Sequence, residues 1–183
     1  MKADYTKIRI GNLWSGMQMD YDIHIRKKEV TIGIYLNPGN AAFQEAVNSK
    51  IYVDKTGLLL YTNGALGTVQ KNICVSRPRR FGKYMAANML AAYYGRGCDS
   101  SAIFKEYQIA KSPTYREHLN KYDVIFLNIQ NFLSDTGSVD GLLEAVNHWV
   151  SEEVFRAYPD IRYQDRSRLT MMLQNMWVSQ NMR

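Results

Sequence analysis

Four cations fall within seven residues, Arg77, Arg79, Arg80 and Lys83, with Pro78 and Gly82 set among them. Proline and glycine forbid the continuation of either a strand or a helix at this point, so the segment reads as a turn. A basic, glycine-bearing turn that feeds a helix gathers backbone N–H groups and the positive end of the helix dipole at one place, where an anion belongs. The chemistry this pattern could do is phosphate binding. Gly82-Lys83 fits the end of the motif G-x-x-x-x-G-K-[ST], in which Lys83 would reach the β- and γ-phosphates while Gly82 and the loop amides cradle them. Two positions depart from it. Arg77 stands at the first glycine, and Tyr84 stands where a short hydroxyl side chain would hold magnesium.

The elements that must position these residues run from Asn72 to Gly95. Ile73-Cys74-Val75 is a short apolar run of the kind that forms a buried strand. From Lys83 onward, Met85, Ala86, Ala87, Met89, Leu90, Ala91 and Ala92 crowd a segment with few charges and predict a buried helix, which Gly95-Arg96-Gly97 ends. Strand, basic turn and helix is the layout of a phosphate loop. The plain alternatives are an ordinary turn at Gly82-Lys83 and a solvated basic loop. The second explains poorly why four cations stand between two apolar elements, where an uncompensated cluster is costly.

Tyr52-Val53-Asp54-Lys55-Thr56, some twenty residues ahead of Ser76-Arg77-Pro78-Arg79-Arg80-Phe81-Gly82-Lys83, resembles the bacterial AAA-ATPase-like proteins. Those proteins couple a P-loop domain to a C-terminal PD-(D/E)XK-type nuclease-like domain. The similarity runs from about Gly33 through MAANMLAAYY and YDVIFLNIQNFL to about Gln174. In that family arginine stands at the first-glycine position, so Arg77 conforms; Tyr84 does not, because the family has Ser or Thr there. The resemblance implies an α/β fold, a P-loop NTPase-type parallel sheet with flanking helices, and ATP as the ligand. It assigns Arg77, Pro78, Arg79, Arg80, Phe81, Gly82, Lys83 and Tyr84 to the nucleotide, with Asp54 and Lys55 in a strap beside it. Arg79 and Arg80 are open to two roles, secondary phosphate contacts or packing on the sheet edge. Asp54-Lys55 is equally open to a plainer reading, a helix-capping carboxylate and its neighbouring cation. With Tyr84 in place of Ser or Thr, magnesium binding is doubtful.

Hydrolysis needs an acidic pair on a second strand, one carboxylate organising magnesium and the other the attacking water. In the family that strand follows the helix resembling Leu169–Gln174, and residues 175–183 contain no Asp or Glu. The expectation is a sheet cut short before the acidic (Walker B) strand, from a truncated or frame-shifted reading frame, which binds ATP without hydrolysing it.

The rest of the chain bounds these readings. At 183 residues, 46% hydrophobic and 12% aromatic, it has room for a real core. A net charge of +6 permits a nucleotide or nucleic acid as partner. Cys74 and Cys98 are too few for a disulfide framework, and Cys74 in a core strand points to a reduced, cytoplasmic protein. No apolar run reaches the length of a membrane span. Residues 1–32 have no sustained period and read as an extension, with a strand through Ile23, Ile25 and Val30; the resemblance begins only after them. Helices are expected at 40–48, 57–61 and 100–105 and after Ser112-Pro113. Tyr122–Ile129, nearly all apolar, is expected as a central parallel strand with Asn128 at its ligand-binding end or as a simple turn residue. Ser138–Tyr158 follows the i, i+3, i+4, i+7 rule and Pro159 stops it. Glu152 and Glu153, adjacent on that helix, point apart and make no catalytic pair. Asp165 is expected to cap a last helix with a Leu169, Met172, Leu173, Met176 and Trp177 stripe, which would lack cover and favour self-association. A different class of function also fits the basic loop: a non-catalytic module that binds nucleic acid or a protein. So does a chain with no function of its own.

Overall fold

The computed structural model describes residues 5–10, 21–26, 32–76, 78 and 81–181. The chain divides into two compact units, Met1–Val30 and Thr31–Arg183. In the first, β1 (Tyr5–Ile10) pairs antiparallel with β2 (Tyr21–Arg26), Tyr5 opposite Arg26 and Ile10 opposite Tyr21. The strand expected through Ile23 and Ile25 is β2; Val30 lies outside the described residues.

The second unit is helical: α1 (Ala41–Val47), α2 (Gly57–Ala65), α3 (Lys83–Tyr94), α4 (Ser101–Phe104), a 3-10 turn (Gln108–Lys111), α5 (Tyr115–His118), α6 (Ile129–Thr136), α7 (Val139–Ala157) and α8 (Leu169–Asn181). Among its described residues there is no named strand, only isolated bridges between Leu36 and Ile125 and between Gly95 and Tyr122. The expected parallel sheet of a P-loop α/β fold is therefore not what this chain shows. Both runs expected as its strands fail for want of a partner. Ile73 and Val75 are 37% and 42% exposed, and Cys74 is exposed with them, in an irregular segment. Tyr122–Ile129 is only half-buried and spends its hydrogen bonds elsewhere. The Tyr122 N–H donates to Tyr94 O at 2.9 Å, at the end of α3, and on the other flank Phe126 N–H donates to Tyr35 O at 2.8 Å. Strand preference is realised through neighbouring strands, and here the neighbours are a helix end and an irregular strap.

Two cores result. The first gathers Phe43, Leu59, Met89, Ala92, Tyr93, Phe104 and Ile109 around α3, with Phe43 stacked on Phe104 at 5.1 Å. The second joins Leu36, Val150, Val154, Tyr158, Met172 and Met176. α3 begins after Gly82, whose φ of +76° is left-handed, and ends at Gly95, where a β-carbon would lie 2.6 Å from Ala91 O. Gly95 is thus required by close approach, not by a left-handed φ. α7 starts as its sequence dictates, the Ser138 hydroxyl accepting from the Gly141 N–H at 3.1 Å.

α8 is seated differently from expectation. Asp165 accepts from Ser167 N–H, and the start of α8 is held by Asn147 of α7, whose Oδ1 accepts from Leu169 N–H at 2.7 Å. Most of the α8 stripe is covered: Met172 and Met176 are buried and Leu169 and Leu173 pack beside them, while Trp177 stays 67% exposed. Among the described residues, no helix is long and apolar enough to cross a membrane.

Candidate nucleotide-binding cleft

Asp54 begins the construction of the site. Its Oδ1 accepts from the Thr56 N–H at 2.7 Å and its Oδ2 from the Gln108 N–H at 3.2 Å, so the carboxylate ties the approach to α2 to the 3-10 turn. Burial pushes its carboxyl up, but the hydrogen bonds from Thr56 and Gln108 outweigh that and hold it below the usual carboxylate range. With Asp54 fixed, Lys55 extends over the start of α3. Its Nζ donates to Phe81 O at 3.3 Å. A β-carbon on Gly82 would lie 2.6 Å from that nitrogen. Glycine at 82 is required by its left-handed φ, and the Lys55 ammonium rests in the space a side chain would otherwise take.

Lys55, Gly82 and Lys83 line one cleft of about 560 Å³, closed by Leu58, Phe81 and Ala86 among others. The start of α3 borders it, where a helix carries N–H groups without intrahelical acceptors and the positive end of its dipole. Residues from two parts of the chain, the 54–58 segment and the 81–86 turn, are thereby brought together as the sequence expects. Asp54 does not cap α2, whose N-cap is Thr56 with no side-chain cap bond; it anchors the Thr56 and Gln108 amides while Lys55 lines the cleft.

The remaining expected residues are placed less uniformly. Arg77, Arg79 and Arg80 lie outside the described residues, and Pro78 is exposed. Phe81 is 63% exposed at the cleft wall. Tyr84 turns away from the cleft, its ring meeting Phe126 edge-on at 6.0 Å. Asn128 caps α6, its side chain accepting from the Gln130 N–H; this helix has no counterpart in the sequence reading. Gln108, which reaches both Asp54 and the cleft, also escaped it, since nothing local marks a residue 54 positions from its partner.

Glu152 and Glu153 do diverge. Glu152 faces Arg156, while Glu153 takes the backbone N–H groups of Ile34, Tyr35 and Leu36 at 2.5, 2.7 and 2.8 Å. Among the described residues no three His, Cys, Asp or Glu side chains gather, the cleft's carboxylate is already committed to two amides, and Tyr84 points elsewhere.

A family model described as predicted AAA-ATPase matches residues 39–182, a span that includes Asp54, Lys55 and the whole basic turn. No curated protein and no solved structure matches the chain. With its match extending over most of the sequence, this chain belongs to the predicted AAA-ATPase family.

Proposed function

We propose that this chain binds the phosphates of ATP in the cleft at the start of α3 and does not hydrolyse them. The observation that carries the reading is the convergence of Lys55, Gly82 and Lys83 on that one cleft. Lys83 contacts the β- and γ-phosphates, the opening amides of α3 cradle them, and Lys55 leaves Phe81 O to meet the added charge. The basic turn 77–80 supplies further cations. Hydrolysis lacks its acid: Asp54, the carboxylate lining the cleft, accepts a backbone N–H on each oxygen and has no second carboxylate beside it in the lining. Binding is carried without magnesium, the side chain at 84 being a tyrosine turned toward Phe126 in place of a short hydroxyl. The setting is the cytoplasm, consistent with two free cysteines.

Titration with a fluorescent ATP analogue, with magnesium and with chelator, tests this. The expected affinity is nearly indifferent to the metal and ranks ATP and ADP above AMP. Lys83→Ala removes a charge-assisted contact of about 1.5–3 kcal/mol, roughly a tenfold to hundredfold loss. Absence of saturable binding, or affinity untouched by Lys83→Ala, refutes the reading. A steep fall with salt in nucleic-acid binding, with ATP failing to compete, favours the interaction-module alternative instead.

A further inference from the structure

The residue after Lys83 faces a second concavity. Tyr84, Tyr35, Phe126, Asn128, Asp135 and Trp149 belong to the walls of a pocket of about 310 Å³. Its floor is aromatic: Phe132 is buried and packs on Tyr35 with ring centres 5.2 Å apart. Its rim is aromatic too, but open, since Tyr84 and Trp149 are 60% and 52% exposed. Tyr84 meets Phe126 edge-on and Trp149 has His148 beside it at 5.0 Å, and both rings keep open surface on which something flat can lie.

The polar groups narrow what that is. Asp135 is an exposed carboxylate and accepts only. Asn128 has its oxygen engaged by the Gln130 N–H at 3.2 Å, so its amide nitrogen is the donor it can offer. A hydrocarbon would leave Asp135 unused, and a polyanion would be repelled by it. Aromatic faces with one acceptor and one donor suit a flat heteroaromatic ring bearing an amino group, stacked on its faces and read at its edge. The volume lies at the low end for ligand pockets, about 300–1,000 Å³, which is room for a base and not for a whole nucleotide.

We propose that this pocket takes the purine ring of the nucleotide whose phosphates occupy the Lys55–Lys83 cleft, with Tyr84 and Trp149 stacking on it and Asp135 accepting from its amino group. This rests on the phosphate reading of the cleft. Lys83 and Tyr84 are consecutive at the start of α3 and, as helix neighbours, point apart, so the ligand proposed here bends over the helix start from the cleft on one side to the pocket on the other. Tyr84, which cannot serve a metal, serves the base.

Adenosine and inorganic tripolyphosphate separate the two ends of the ligand. Adenosine is expected to quench tryptophan fluorescence in the unmodified chain and not in Trp149→Phe. Tyr84→Ala and Trp149→Ala are each expected to weaken ATP about tenfold while leaving tripolyphosphate unchanged, and Tyr84→Phe, which keeps the ring, to bind as the unmodified chain does. Asp135→Asn is expected to erase about tenfold of any preference for adenosine over inosine, which lacks the amino group. All three side chains altered here stand exposed, so circular dichroism should be unchanged. Lys83-dependent tripolyphosphate binding, with no adenosine quench and no loss of ATP in Tyr84→Ala and Trp149→Ala, overturns the base pocket and leaves the phosphate cleft standing. Adenosine quenching without tripolyphosphate binding overturns the shared ligand, because the base site then exists and the phosphate reading has failed.

Discussion

The two cores of the helical unit are tied together by different chemistry. Around α3 in the first, the side-chain ties are neutral, Asp54 bridging only the approach to α2 and the 3-10 turn. Tyr93 OH accepts from Asn63 Nδ2 at 3.0 Å and donates to Tyr115 O, while Tyr94 OH donates to Asn63 Oδ1 at 2.7 Å and meets Thr62 Oγ1 at 2.6 Å. Around the second, the ties are carboxylates. Glu153 holds three consecutive amides of the 34–36 strap. Asp123, 7% exposed, takes Asn37 Nδ2 and Tyr158 OH on one oxygen and Gln180 Nε2 on the other, with Arg96 at 3.5 Å. Hydroxyl ties can be cut one at a time at modest cost. A carboxylate that serves several donors fails as a unit, and among the donors it abandons the Tyr35 and Leu36 amides, Asn37 and the Tyr158 hydroxyl are left partly buried.

The largest break should therefore come at Asp123. Asp123→Ala is expected to cost about 3 kcal/mol in denaturant unfolding, because it takes the acceptor from the Tyr158 hydroxyl and Asn37 together. A cost below about 1 kcal/mol would mean that water replaces the carboxylate and the distinction between the cores is false. Glu153→Gln comes next at about 2 kcal/mol: one amide oxygen cannot serve three N–H groups, and the amide NH₂ would face donors. Hydrogen exchange should show the loss at Ile34, Tyr35 and Leu36 first; uniform loss across α1–α3 would contradict it. Tyr94→Phe in the first core is expected to cost only about 1 kcal/mol, and a cost equal to that of Asp123→Ala would erase the comparison from the other side.

The smallest effect is in pH. Burial chiefly pushes the Tyr52 and Tyr94 phenols up to about 12, against roughly 10 in an unfolded chain. Between those values the unfolded state has given up protons that the native state keeps. The contribution is complete below about pH 10 and is lost as pH rises toward 12. The first core should loosen in alkali, followed by tyrosinate absorbance, and Tyr94→Phe should flatten the slope. Asp54 works in the opposite direction: its lowered pKa gives stability that is lost as pH falls through it.

What could be read in advance was what a short window carries. α3 and α7 are legible because glycine, serine and proline punctuate long helical patterns, and each boundary is set by an atom within three residues of it. The cleft was legible in part for the same reason, since Gly82-Lys83 and Asp54-Lys55 are local signals and the structure needs only to bring the two together. The 122–129 run failed because apolarity states burial and not what lies alongside. Its flanks are filled by the end of α3 and the 35–37 strap. Asn37 shows how far this substitution goes: at a φ of +52° its N–H donates to Val124 O and its Oδ1 accepts from Val124 N–H, doing with one side chain what a paired strand would have done. Nothing in an Asn-Pro-Gly turn announces that. The seat of α8 on Asn147 was missed because the partner belongs to another element, whereas α6, capped locally by Asn128, was missed because the apolar run before it was read as a strand continuing through Ile129.

The reach of Glu153 has a consequence for the order of assembly during synthesis. Every buried member of the first core lies between Phe43 and Ile109, so that core can close while the chain is still being made. Leu36 of the second core waits for Val150, and its neighbours at 34–36 wait for a carboxylate 117 to 119 residues downstream. Long loops close slowly because their entropy is spent before the contact rewards it. Until α7 emerges, Ile34 is an apolar residue beside unanswered amides. A nascent chain arrested after α5 should already protect α3 while leaving the 34–36 strap open to a protease, a vectorial signature that a single cooperative core would not give.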